Sequence, residues 1–214
     1  MNKLQAKMPL ALTYIGAIFF TFLSIFTLYR LETTGERLML ILTLIAYVLW
    51  MRWESHVSKN ELEKEYSSYD GGTMEFAAFA KMTTLTISFL FTDQIHFPLS
   101  IFGMLMMLSG IGIRVKAILK LGNCYSHRIR PVGERLVVDG PYGVIRHPAY
   151  LGTYLAHIGF VMVFCSIYSL LSCVFLWGAA VLIRVFKEED LLQKDPSYRE
   201  YSKSVSARIF PGVF

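Results

Sequence analysis

Apolar residues along this chain gather into six runs, 9–29, 38–51, 76–91, 97–118, 151–165 and 170–185, separated by polar stretches. Unbroken runs of this length, without strand-like alternation, predict helices. Crossing a bilayer takes about 20 residues and roughly 17 at the least. The first and fourth runs reach that length unaided. The other four reach it only when flanking residues such as Trp50, Trp53 and Arg184 count as interfacial anchors with snorkelling stems. The pattern predicts an all-α, multi-pass transmembrane protein of about six spans. The first run is too long for the core of a secretory signal and lacks a small-residue cleavage site, so it is read as a span.

The cations orient the spans. With the N-terminus, Lys3 and Lys7 in the cytoplasm, Arg30 and Arg37 fall outside, balanced by Glu32 and Glu36. Lys81 lies inside the third run and is read as snorkelling to its cytoplasmic end. Every other Lys and Arg falls on the cytoplasmic side, a positive-inside pattern that places both termini there. Composition agrees: 54% of the 214 residues are hydrophobic and 17% charged, against roughly 25% charged in soluble domains. The net charge of +5 reflects this topology and is no argument for nucleic acid. Cys124, Cys165 and Cys173 lack metal-ligand spacing and read as small buried thiols, and no HExxH or paired histidines predict a metal. Gly110-Ile111-Gly112 has neither the preceding strand nor the third glycine of a dinucleotide loop, and reads as a helix-packing element.

Two polar stretches separate the runs. Residues 52–73 read as a solvated cytoplasmic loop. Residues 120–146 form a connection longer than a link requires, a common sign of function, and hold Asn123, Tyr125, His127, Arg128, Arg130, Glu134 and Arg135. The arginines read mainly as a positive-inside cluster. The stretch ends in Gly140-Pro141-Tyr142-Gly143, which is turn chemistry. Arg146-His147-Pro148-Ala149-Tyr150-Leu151-Gly152 follows. Pro148 suits the first turn of a helix and holds His147 outside it. Arg146 and His147 then sit just before a span, with Tyr150 about one turn inside. A tight turn near residues 166–169 folds the last two runs into a hairpin and brings residues 184–189 back to the same face. Arg184 and Glu188, four apart, are neighbours on that helix, while Glu189 and Asp190 read as solvated. Asp195-Pro196-Ser197 reads as a helix stop and restart.

The R-H-P-x-Y-x-G segment, followed after an apolar hairpin by Arg184-Val185-Phe186-Lys187-Glu188-Glu189 and by Leu192, Tyr198, Tyr201, Arg208 and Pro211, resembles the isoprenylcysteine carboxyl methyltransferases and their membrane phospholipid-methyltransferase relatives. The resemblance runs over about residues 121–214. It implies an N-terminal, substrate-side set of spans in 1–119. It also implies a catalytic region in 120–214, where a cytoplasmic loop, the hairpin and the tail hold S-adenosylmethionine. Cofactor contacts would come from His127, Glu134, Arg135, Leu136, Val137, Tyr142, His147, Pro148, Ala149, Tyr150 and Glu188. Arg184 would hold the substrate carboxylate, so that Arg184 and Glu188 are the implied catalytic pair. The implied partners are a lipophilic small molecule, or a prenylated or lipid substrate, and the bilayer, with no nucleic acid and no metal.

Of two possible acceptors the resemblance favours the carboxylate, since the Arg184–Glu188 block looks closer to the carboxyl methyltransferases. A carboxylate is ionised near neutral pH, its pKa being about 3.5, and needs no general base. An amine, as in phospholipid N-methylation, would need Glu188 or Tyr150 as base, with Arg184 on phosphate. A third reading is an NADPH-dependent sterol-type reductase, whose family carries a similar R-H-x-x-Y segment. Lys187-Glu188-Glu189 departs from the tail pattern of those enzymes.

Overall fold

The computed structural model describes residues 19–59, 70–92, 94–133 and 135–211. Much of the first apolar run, and Glu134, lie outside them. The described residues form seven helices and no strand: α1 (Phe19–Arg30), α2 (Thr34–Lys59), α3 (Thr73–Leu90), α4 (Phe97–Leu121), α5 (Pro148–Val163), α6 (Ile167–Leu192) and α7 (Pro196–Ser204). Short 3-10 turns occur at Gly122–Cys124 and Gly140–Gly143. Helix α6 is continuous but takes a π turn over Ser172–Trp177.

Three helical stretches are long and apolar enough to cross a membrane: Thr34–Val57, Phe97–Cys124 and Ile167–Leu192. The expected count of six is not reached by length and composition among the described residues. The reason is clearest at α5, whose 16 residues measure about 24 Å at 1.5 Å per residue, short of a ~30 Å hydrocarbon core. Its sequence is apolar because protein surrounds it: Gly152, Ala156, His157, Gly159, Phe160, Val161 and Val163 are all buried. A helix apolar all round is buried in protein or in lipid, and the burial of these side chains marks α5 as an inner helix. The outer helices instead turn large apolar side chains outward, among them Phe22, Leu49, Phe79, Leu105 and Phe175, each more than half exposed. A coat of this extent suits lipid rather than water.

Helices α4 and α5 pack antiparallel with almost no side chain between them. A Cβ on Gly110 would stand 2.4 Å from the Ala156 nitrogen, and one on Gly159 2.3 Å from the Met107 nitrogen. The packing role expected of Gly110 is present; Gly112 has nothing within 4 Å of such a Cβ. At the far end of α5, Cys165 takes a left-handed φ of 53°, and the Ser166 hydroxyl caps the next helix by accepting from the Ser169 amide. The hairpin thus turns at 164–166, slightly earlier than the sequence suggested. Of the three cysteines only Cys173 is buried; Cys124 and Cys165 are half-buried.

Two expectations about charge change. Glu36 is not a surface balance for Arg37. It forms a capping box with Thr33, accepting from the Thr33 amide at 2.9 Å, and also accepts from the Ile95 amide at 3.0 Å. Residues 52–73 are not simply a solvated loop either. Helix α2 continues to Lys59, and Glu54 and Asp70 are buried.

Candidate active site

Helices α2, α3, α5 and α6 each turn one face toward a common cavity of about 740 Å³, within the usual range for a small-molecule site, roughly 300–1,000 Å³. Along α3 the lining residues are Met74, Ala77, Ala78 and Lys81; along α6 they are Trp177, Val181, Arg184 and Glu188. These are helical-face spacings of three, four and seven residues. Helix α5 contributes Ala149, Tyr150, Thr153 and His157, and α2 contributes Trp50, Met51, Glu54 and Ser55. The loop after α4 closes one side with residues 124–128, 130–133 and 135–137, and Tyr142, Arg146, His147, Tyr198 and Tyr201 complete the wall.

The structure therefore brings together His127, Arg135, Leu136, Val137, Tyr142, His147, Ala149, Tyr150, Arg184 and Glu188. Pro148 is buried at the first turn of α5 and is not part of the lining. It acts as expected: His147 stands outside the helix with φ −123° and ψ 56°. Lys81 faces the cavity instead of a lipid border.

Arg184 is strongly engaged. Its guanidinium donates to the His127 carbonyl at 2.7 Å and to the Thr73 hydroxyl at 3.4 Å, and pairs with Asp70 at 3.3 Å. Asp70 also accepts from the Ile129 amide at 3.1 Å. Arg184 thus ties the start of α3 to the long loop, and its nearest carboxylate partner is Asp70 rather than Glu188. Five N–H donors leave room for one more acceptor. The Tyr150 hydroxyl lies within reach of both Arg184 and Glu188. Glu188 is about one-quarter exposed and stands 4.0 Å from the His147 ring.

Glu189, expected in solvent, is instead the centre of a buried cluster. It accepts from Arg146 through two bonds of 2.9 Å, from the His147 ring at 2.8 Å and from the Tyr198 hydroxyl at 2.6 Å. Burial, then the bond to Glu189, raises the Tyr198 hydroxyl well above the usual phenol range, so it stays a donor. Arg146 also donates to the carbonyls of Val205 and Ser206. The amides of Arg146 and His147 bind the carbonyls of Ala207 and Arg208 at 3.0 and 2.8 Å. The Tyr201 hydroxyl donates to the Tyr142 carbonyl at 2.6 Å. The tail is thereby strapped to the helix entry that the R-H-P motif makes. The expected stop and restart is present: Asp195 caps α7 by accepting from the Ser197 amide at 2.8 Å, with Pro196 in the first turn.

A second buried pair went unread in the sequence. Arg114 of α4 binds both carboxylate oxygens of Glu54 and donates to the Tyr125 hydroxyl at 2.9 Å and to the Ala149 carbonyl at 3.2 Å. An arginine in an apolar run is itself a signal of a partner or a site; Glu54 had no such signal, lying beyond its run. The Tyr125 hydroxyl lies 3.0 Å from His127 Nδ1. Burial first, and then the Arg114 charge, pull the His127 pKa down to about 4, so the ring is neutral at pH 7 and its 3.6 Å approach to Glu54 is not an ion pair. An unfolded histidine titrates near 6.5. The unfolded chain therefore binds more protons between these values, and stability should fall as pH drops from about 6.5 toward 4. His127→Gln should flatten that part of a melting-temperature profile relative to the parent; parallel profiles would reject the assignment.

The fold and cavity define a helical membrane protein with a polar site built largely by its C-terminal half. Residues 103–194 match the family model of the isoprenylcysteine carboxyl methyltransferase (ICMT) family. Protein-S-isoprenylcysteine O-methyltransferase A of Arabidopsis thaliana is 29% identical over 119 residues, which cover 53% of this chain and 60% of the relative. Its B counterpart is 28% identical over the same length. A probable protein-S-isoprenylcysteine O-methyltransferase of Oryza sativa subsp. indica is 28% identical over 138 residues, 62% of this chain and 72% of the relative. The chain thus spans about 60% of the length of the Arabidopsis proteins it matches.

Proposed function

We propose that this chain is an integral-membrane methyltransferase that uses S-adenosylmethionine to esterify the carboxylate of a lipophilic, isoprenylcysteine-like substrate. The observation that carries this reading is the joining of both matched blocks, 140–152 and 184–189, in one cavity whose lining combines charged groups with apolar ones such as Trp50, Met74, Ala77 and Trp177. The names of the relatives support the reaction class. In this reading residues 120–214 form the catalytic region, 1–119 face the substrate, about six segments cross the membrane, and both termini are cytoplasmic.

The residues present fit such a cofactor. Glu188 supplies an anion for its cationic groups, and Arg135 and Arg128 at the mouth supply cations for its carboxylate. Leu136, Val137, Tyr142 and Ala149 offer an apolar wall for a flat ring, with His127, His147 and Tyr150 as polar neighbours. Glu134, in the same stretch, keeps its proposed contact. When bound, S-adenosylmethionine supplies an electrophilic methyl group, which the carboxylate oxygen takes as the carbon–sulfur electron pair returns to sulfur. The protein has no proton to remove, because the acceptor is already ionised. Its task is orientation and exclusion of water. Arg184 uses its remaining donor capacity on the carboxylate, and Tyr150 bridges it to Glu188. The Asp70 partner weakens the grip of Arg184 on an anion whose charge disappears as the ester forms.

Incubation with methyl-labelled S-adenosylmethionine and N-acetyl-S-farnesylcysteine should give a base-labile methyl ester. A base-stable product from an amine lipid would replace carboxyl by N-methylation. Binding of NADPH, with no calorimetric heat from S-adenosylmethionine or S-adenosylhomocysteine, would sink methyl transfer altogether. Glu188→Ala should weaken S-adenosylhomocysteine by about tenfold, the worth of one charge-assisted contact. Arg184→Lys, which keeps a cation beside Asp70, should lower turnover while leaving that affinity largely unchanged; an equal loss of cofactor affinity would remove Arg184 from the substrate side.

A further inference from the structure

Charges on the cavity wall can be counted against one another. Arg114 is neutralised by Glu54, Arg184 by Asp70 and Arg146 by Glu189. Arg128 and Arg135, at the mouth, are exposed, where water screens them, and Arg130 is held in the loop, donating to the Cys124 carbonyl. On the helices that line the cavity, two charges of opposite sign remain. One is Glu188, already assigned to a cationic cofactor. The other is Lys81, half-buried on α3, with no hydrogen bond or ion pair among the described residues.

Lys81 lies within electrostatic range of Arg114 and Glu54, and of His127 and His157. Glu54 is already committed to Arg114, so a protonated Lys81 has no counter-charge to itself within this group of side chains. His157 adds none: its Nδ1 lies 2.8 Å from the Thr153 carbonyl, which requires a proton there, and Nε2 faces the Tyr47 hydroxyl at 3.4 Å. The cavity that Lys81 lines also carries apolar groups, among them Trp50, Ala77, Trp177 and Val181. A cation in such surroundings is stabilised by an anion far more than it would be in water. The complementary ligand is an apolar body carrying one negative group.

We propose that Lys81 is a positioning and specificity residue whose ammonium holds the substrate carboxylate, alongside Arg184, and selects acids over neutral lipids. This deepens the carboxyl methyltransferase reading and rests on it. Lys81 supplies the charge that Arg184, paired with Asp70, lacks, and being on α3 it makes the N-terminal helices part of substrate choice.

The test is direct binding to the purified full chain, read from tryptophan fluorescence, since Trp50 and Trp177 line the same cavity as Lys81. The probes are N-acetyl-S-farnesylcysteine and its carboxamide. The parent should bind the acid about tenfold more tightly than the amide, the worth of one charge-assisted contact. Lys81→Met should bring the two within about twofold, and Lys81→Arg should restore the preference. Persistence of the full preference in Lys81→Met, or its absence in the parent, would overturn the proposal. Should Lys81→Met fail to fold, the parent protein decides: the acid, and not the amide, should protect Lys81 from acetylation as read by mass spectrometry, and equal labelling with both would refute the role. S-adenosylhomocysteine calorimetry separates the two levels. Absent cofactor heat with an intact acid preference removes methyl transfer and leaves the Lys81 anion site standing.

Discussion

Glu189→Ala should release the C-terminal tail and lower stability by about 3–5 kcal/mol, the usual consequence of removing one partner from a buried ion pair. The carboxylate is the shared acceptor of Arg146, His147 and Tyr198. Without it a buried guanidinium loses its counter-charge and a buried phenol its acceptor. Arg146 also holds the Val205 and Ser206 carbonyls, so its reorientation should loosen residues 205–209 and with them the docking of α7. Two measurements follow the effect: the melting temperature in detergent, and tryptic cleavage at Arg199 and Lys203, both exposed. Cleavage should become rapid in the variant. An unchanged melting point with unchanged cleavage would show that the cluster is not what fixes the tail.

Gly159→Val should also be strongly damaging, for a steric rather than an electrostatic reason. The added Cβ meets the Met107 nitrogen at 2.3 Å, the Gly103 oxygen at 2.5 Å and the Met107 Cα at 2.8 Å. All three are backbone atoms, so no rotamer change relieves the contact and α4 must move away from α5. Overpacking commonly costs about 1–3 kcal/mol, and a clash with a rigid helix backbone belongs at or beyond the top of that range. Gly112→Ala is the control: its Cβ meets nothing within 4 Å, and replacing a helical glycine by alanine there should leave stability unchanged or raise it by up to about 1 kcal/mol. Equal behaviour of the two variants would remove the close α4–α5 contact as a determinant of the fold. Because α5 opens with Pro148 and carries Tyr150 into the cavity, separation of the two helices should also abolish cofactor binding.

Helix formation, the hairpin, the restart at Pro196 and the clustering of the R-H-P block with residues 184–188 were legible in the chain. Each follows from local rules: apolar runs exclude strands, proline sets a first turn, and a short connection returns a helix beside its predecessor. The number of spans was not legible in the same way. Residues 151–165 are as apolar as a lipid-facing helix, because burial in protein and burial in lipid select the same side chains. The neighbours of α5, and not its composition, mark it as internal.

The charged residues divide similarly. Sequence alone identified Arg184, Glu188 and His147 as a constellation on one face, and it showed a resemblance of the C-terminal half to one family. It could not say which charges are spent on each other. Asp70 and Glu54 looked solvated, Glu189 looked like the solvated neighbour of Glu188, and Lys81 looked like an interfacial anchor. One residue of helical register places Glu189 under the tail and Glu188 in the cavity, since successive side chains on a helix diverge by about 100°. The sequence by itself therefore determined the helical class, the order of the elements and the chemistry available to the site. Only the tertiary structure decided which ions pair internally and which remain for ligands, because a buried charge is satisfied by whatever lies within a few ångströms, and those neighbours come from helices as far apart in the chain as α3 and α6.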